Sequence, residues 1–199
     1  NPIGIDPNAT LDVWRAPFGY LSGGLWQNAH PEYDDDNLFI AQAPVTPTGT
    51  APVVATGWTK VGTTPPGAPT TFTDTPPTRG YWYYVVNITD ACNTTQVSNM
   101  SGGSLNYLLG DVTNGTTVGT GDDIVNGVDV SAYGSVYGTV VGPSPGTTAH
   151  LDIGPTMDRT PTGRPHPDDF IGFEDLIVLS MNYNKGPSPQ FARIPAAAE

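Results

Sequence analysis

The sequence predicts a mainly β protein with a small α-helical module in its C-terminal half. Two observations carry this. Glycine (24 residues) and proline (21 residues) are abundant in a threonine-rich chain of which only 13% is charged, a balance that favours short strands and turns over long helices. From Leu105 onward the texture changes, because aspartates become regularly spaced and two stretches acquire a helical apolar period. With 199 residues the chain is long enough for one large domain or two small ones. The expected organisation is a strand-rich region at 1–104, a duplicated module at 105–185 and an extended tail at 186–199.

In the first region the strand candidates are Thr10 to Ala16, Asn37 to Gln42, Trp58 to Val61, Thr70 to Thr73, Tyr81 to Thr89 and Thr95 to Asn99. The run Tyr81-Trp-Tyr-Tyr-Val-Val-Asn-Ile-Thr89 is apolar on both alternating faces, as a central strand packed on two sides requires. Residues 43–55 and 63–69 carry too many prolines for central strands and belong at edges or in connections.

The series Leu11-Asp-Val-Trp-Arg-Ala16, Gly57-Trp-Thr-Lys-Val61, Thr71-Phe-Thr-Asp-Thr75 and Gly80-Tyr-Trp-Tyr-Tyr-Val85 resembles the later part of a bacterial fibronectin type III domain. The resemblance implies an immunoglobulin-like β-sandwich, a fold that hosts many functions and specifies none. Its first match resembles the third of the family's seven strands, and the ten or so residues before it are too few for two more. The expectation is an incomplete sandwich finished by strand addition. Asn1 to Thr10 and Ser188 to Pro195 are the candidate donors, either from a neighbouring chain, which would build a filament, or from the chain's own tail folded back.

In the second region Asp122-Asp-Ile-Val-Asn-Gly-Val-Asp129-Val recurs 46 residues later as Asp168-Asp-Phe-Ile-Gly-Phe-Glu-Asp175-Leu. Downstream, Val130, Tyr133 and Tyr137 share their spacing with Leu176, Leu179 and Tyr183, so each copy is expected to end in a short helix with one apolar stripe. Upstream of each copy stands a further aspartate, Asp111 or Asp152. A calcium loop needs six to eight hard oxygen ligands, offered in an EF-hand from positions 1, 3, 5, 7, 9 and 12. Counted back from Asp129 as position 12, Asp122 is position 5, Ile124 offers the position 7 carbonyl, Val125 is the apolar position 8 and Asn126 is position 9. The second copy places Asp175, Asp168, Phe170, Ile171 and Gly172 there. Val125 and Ile171 are expected to pair the loops through a short β bridge. The candidate metal ligands are therefore Asp111, Asp122, Ile124, Asn126 and Asp129 in the first loop, and Asp152, Asp158, Asp168, Phe170 and Asp175 in the second.

With aspartate at position 12 and a helix only after each loop, this pattern resembles the type I dockerin family. The resemblance implies a dockerin-like pair of calcium loop-helix repeats and, in many relatives, docking onto a cohesin domain. The sequence departs from the family by insertions, since Asp111 to Asp122 spans 11 positions and Asp152 to Asp168 spans 16 where the family spans 4. It also carries Gly127-Val128 and Phe173-Glu174 where relatives often have small polar residues that touch cohesin. The competing reading of the aspartates is ordinary turn and helix-cap usage. Asp34-Asp-Asp36 lacks a duplicate and reads as a solvated loop, with a third cation site as the sharper alternative.

Charge narrows the function classes. A net charge of −12 repels a nucleic acid and attracts calcium. The chain has no run of 18 apolar residues for membrane insertion, and its start at Asn1 suits a secreted chain already freed of its export signal. The single cysteine, Cys92, excludes an internal disulfide and reads as a buried thiol. Five sequons are what so threonine-rich a chain produces by chance. His30, His150 and His166 lack zinc spacing, and no nucleophile elbow, phosphate loop or dinucleotide motif is present, so no enzyme is expected. Trp14, Tyr20, Trp26, Tyr33, Trp58, Tyr81 and Trp82 offer either sandwich packing or a platform for polysaccharide, with packing the plainer reading. The expectation is an extracellular, calcium-stabilised structural protein that self-associates into a homopolymer, with a cohesin-binding adaptor and a carbohydrate-binding module as alternatives.

Overall fold

The computed structural model describes residues 8–18, 44–47, 57–65, 71–77, 79–141, 147–186 and 191–193. The strand expected at Asn37 to Gln42, the acidic run at Asp34 to Asp36, and Tyr20, Trp26, His30 and Tyr33 lie outside them. The chain is mainly β, with an antiparallel sheet and two α-helices. The strands are β1 (Thr10–Pro17), β2 (Thr59–Thr64), β3 (Thr71–Thr73), β4 (Tyr81–Thr89), β5 (Thr95–Val97), β6 (Ser104–Leu105) and β7 (Phe191–Arg193). The helices are α1 (Gly127–Gly134) and α2 (Phe173–Asn182).

The doubly apolar run forms the central strand, as its composition requires. β4 pairs along its length with β1 on one side and with β5 and β6 on the other, and β2 pairs with β1. Register assigns the two faces. Trp14 and Ala16 lie opposite Val85 and Tyr83, whereas Leu11, Val13 and Arg15 lie opposite Ile88, Val86 and Tyr84. The first face joins a continuous buried cluster that includes Phe18, Trp58, Leu109, Val125, Tyr133, Ile171 and Leu179, so one core runs from the sheet into the repeats. Leu11, Val86 and Ala9 form a separate small cluster on the second face. On that face Asp74, just after β3, meets Arg15 at 2.6 Å and accepts the Tyr84 hydroxyl at 3.0 Å, while Arg15 stacks over Trp82. Phe72 of β3 packs its ring against Gly62, where a side chain would collide with it.

β6 straddles the boundary expected at 104/105 and pairs with β4 through Ser104 and Leu105. The tail candidate Ser188 to Pro195 contributes β7, which pairs antiparallel with β3 of the same chain. Cys92 is exposed, contrary to the buried thiol expected. It sits in a turn closed by Asp90, whose carboxylate accepts the backbone N–H groups of Cys92 and Thr94 and leaves the thiol outside the sheet. Of the described aromatic candidates, Trp58 and Trp82 are buried and Trp14 and Tyr81 half-buried against the core. The Trp58 indole donates to the Val45 carbonyl at 2.9 Å.

Candidate metal centre

Each repeat is closed by the aspartate counted as position 12. Asp129 is fully buried in the first turn of α1, and its Oδ1 accepts the N–H groups of Val112 (2.9 Å) and Thr113 (3.0 Å). Its Oδ2 accepts the N–H of Asn126 at 2.9 Å, and Asn126 returns a side-chain cap to the N–H of Val128. Asp175 does the same in the second repeat, accepting Ile153 (2.6 Å) and Gly154 (2.7 Å) on Oδ1 and Gly172 (2.8 Å) on Oδ2. A carboxylate in a helix's first turn satisfies the orphan donors there and complements the helix dipole. Here it also fastens the start of its own loop to that helix. Gly154 permits this in the second repeat, because a Cβ would lie 2.7–2.8 Å from the backbone of Glu174 and Asp175.

The insertions do not open the loops. Thr113 bridges to Val118 and Thr120, and Thr156 bridges to Pro165, so each excursion is a small closed turn that returns the chain to its starting aspartate. Asp111 consequently accepts the N–H groups of Asp122 (3.0 Å) and Asp123 (2.8 Å), while Asp152 accepts that of Asp168 at 3.4 Å. Asp122 and Asp168 are exposed and turn back on the N–H groups of Ile124 and Phe170, which are also exposed. Asp158 lies in the second excursion, where it caps the N–H and hydroxyl of Thr160. Among the described residues no group of three or more His, Cys, Asp or Glu side chains is drawn together closely enough to hold a metal ion.

The bridge expected between Val125 and Ile171 is not formed. Val125 bonds to Asn184 and Lys185, which follow α2, and Ile171 bonds to Gly138 and Thr139, which follow α1. Each loop thus pairs with the segment after the other repeat's helix, and the two sets of partners obey the same 46-residue offset. The physical reason is that each apolar position 8 side chain is fully buried in the core, leaving its backbone to the strand-like segment that reaches it. The helical stripes are buried only at their centres: Tyr133 and Leu179 are buried, Leu176 is half-buried, and Val130, Tyr137 and Tyr183 are exposed. The Tyr133 hydroxyl donates to the Gly172 carbonyl and lies 3.4 Å from Asp175 Oδ2.

The loops differ in charge. Arg79, from the turn before β4, bonds both the carboxylate and the backbone carbonyl of Asp111 and stacks over Tyr107. Burial raises the Asp111 carboxyl above its ordinary pKa, and Arg79 pulls it back down. Asp152 has no such partner. It is 3% exposed, its Oδ2 is buried without a side-chain partner, and its pKa is pushed up to about 8 by burial and then by the charge of Asp175, against the pull of the Asp168 and Asp169 backbone N–H groups. Burial likewise lifts Asp175 to about 6, against the pull of its three backbone donors. Sequence reasoning missed Arg79, whose place in an unremarkable turn offers no spacing pattern. It also missed the Tyr133 hydroxyl, counted there only as an apolar position.

An orphaned, buried carboxylate oxygen fits a hard cation as its partner. In the second loop that oxygen belongs to Asp152, while Asp168 and Phe170 stand exposed further along the same loop. Comparison with protein-family models, with curated proteins and with solved structures finds no match to this chain.

Proposed function

We propose that this is a non-enzymatic, extracellular structural protein whose C-terminal repeats are dockerin-like and held by calcium, and whose N-terminal sheet belongs to a fibronectin type III-like sandwich. The observation that carries the reading is the Asp152 Oδ2 atom, buried without a partner beside other carboxylates in a duplicated loop. A net charge of −12 draws cations to it. Millimolar calcium outside a cell suffices for sites with dissociation constants of about 0.1–1 mM. Chelation should expose residues 105–185 to protease and lower the melting temperature. If neither changes, calcium is not the stabiliser.

The pairing of β7 with β3 of the same chain is the folded-back fate of the tail, and a filament subunit joined by β-strand addition requires the same ladder to form with a neighbour's tail instead. A two-stranded ladder of three residues per strand is weak in isolation, and the same ladder can be made with a neighbour's tail at little cost. Removing residues 188–199 should abolish association seen by sedimentation at high concentration with calcium. A full-length chain that stays monomeric under those conditions sinks the assembly.

One observation favours the adaptor alternative. Phe173 (63% exposed), Ile177 (42%) and Met181 (44%) follow one another at four-residue spacing on the open side of α2, an apolar stripe of the kind a cohesin-like partner covers. Retention of the protein by an immobilised cohesin-like domain, lost in Ile177→Glu, tests it. The carbohydrate reading gains nothing from Trp14, Trp58, Tyr81 and Trp82, which are packed into the sheet.

A further inference from the structure

We propose that the first loop is closed by Arg79 acting as a built-in cation, so that the chain binds a single calcium ion, in the second loop at Asp152. The inference rests on the calcium reading above and adds stoichiometry and site to it. Three observations converge. Every oxygen of the Asp111 carboxylate is engaged, Oδ1 by the Asp122 N–H and Oδ2 by the Asp123 N–H and the Arg79 guanidinium, and Arg79 extends at 3.5 Å to the Asp123 carboxylate. The guanidinium thus spans two acidic side chains of the loop, as a bound cation would, and a planar fork fixed to carboxylates is hard to displace. Gly121 makes the room, since a Cβ there would collide with Arg79 and with Asp111 Oδ1. The matching position in the second repeat is Pro167, a buried ring in place of that gap.

The second loop is the reverse case. Asp152 is buried as deeply as Asp111 and is likewise steadied by two backbone N–H groups, those of Asp168 and Asp169, but the charges that act on it, Asp175 and Asp168, are both negative, and no side-chain cation satisfies its buried Oδ2. Two loops with the same closing aspartate, each with a looped-out insertion of its own length, have therefore diverged, one recruiting its cation from the turn before β4 and the other leaving a carboxylate oxygen open to a diffusible ion. Because Arg79 lies two residues before β4, the first loop is also tied to the central strand of the sheet, a link that no ion could supply.

The test is calcium stoichiometry by equilibrium dialysis of the chelator-treated full-length protein against CaCl2. The expected result is one ion per chain for the wild type and for Asp111→Asn, none for Asp152→Asn, and two for Arg79→Gln, in which the first loop is freed. Arg79→Lys, which keeps the charge, should stay at one. Two ions in the wild type, or an ion kept by Asp152→Asn and lost by Asp111→Asn, overturns the proposal while leaving calcium binding intact. A single ion in a folded Arg79→Gln shows that Arg79 does not close the first loop and overturns that half of it. Should Arg79→Gln fail to fold, the opposed results for Asp111→Asn and Asp152→Asn still decide the site. No ion in the wild type removes the calcium reading itself.

Discussion

In the first repeat the carboxylate at the head of the loop meets a guanidinium from the turn before β4, whereas the only charges that act on the equivalent carboxylate in the second are those of other acids. The backbone scaffold of the two is otherwise the same: a closing aspartate with three N–H donors, an insertion folded out of the way, and a position 8 residue bonded across to the other repeat. The difference shows which part of a duplicated motif is self-contained. Caps and turns use atoms within the repeat and are copied with it. Charge compensation depends on what the rest of the fold presents to each copy, and only the first faces the turn before β4.

The largest effect should come from the feature the repeats share. Asp129→Ala and Asp175→Ala each strand three backbone donors and leave a hole at a fully buried position, and each should cost about 3–5 kcal/mol in urea unfolding. Similar losses at both sites would confirm equivalent scaffolds; a loss at one alone would break the comparison. Next in size is the feature that separates them. In metal-free protein Asp111→Asn gives up its charge pairing with the guanidinium and should lose about 1–3 kcal/mol, whereas Asp152→Asn removes a carboxyl that folding forces to take up a proton near neutral pH and should gain about 1–2 kcal/mol. Opposite signs are the decisive outcome, read from the same unfolding curves. Calcium at ten to a hundred times its dissociation constant should stabilise the wild type by about 1.4–2.7 kcal/mol. That corresponds to a rise in melting temperature of about 3–10 °C for a chain of this size. The rise should be absent from Asp152→Asn.

Sequence reasoning reached the parts of this architecture governed by short-range rules. The run from Tyr81 to Thr89 named itself as the central strand because both faces are apolar, and the 46-residue repeat located both helices. What it could not reach depends on contacts far apart in the chain. Arg79 and Asp111 are brought together only by the packing of the sheet against the repeats. The cross-pairing of Val125 with Asn184 and Lys185, in place of Ile171, depends on which strand-like segment lies beside each loop. Val130 and Tyr137 share the spacing of Tyr133, but α1 ends at Gly134 and its neighbours cover only the middle of the stripe. The pairing of Phe191–Arg193 with β3 was one of two fates the tail's extended composition allowed, and composition carries no information on which edge a free strand meets.

The smallest expected effect isolates a bond the second repeat cannot copy. Tyr133 of α1 is buried, and its hydroxyl reaches the Gly172 carbonyl at the start of α2. The residue 46 positions on is Leu179, which has no donor to return to Asn126, so the bond runs one way across the pair. Tyr133→Phe keeps the ring and its packing against Tyr137 and removes only the hydroxyl. It takes one of two donors from the buried Gly172 carbonyl, which keeps the Leu176 N–H, and leaves Asp175 Oδ2 with the Gly172 N–H, for a loss of about 1 kcal/mol. The loss should be larger with calcium absent than present if the hydroxyl also steadies Asp175, whose helix closes the loop that takes the ion. Leu179→Ala, by contrast, opens a cavity against Gly110 and should cost about 2–5 kcal/mol whatever the calcium level. A Tyr133→Phe variant as stable as wild type in both conditions would show that the two helices are joined by packing alone, and that the repeats are more nearly symmetric than their hydrogen bonds suggest.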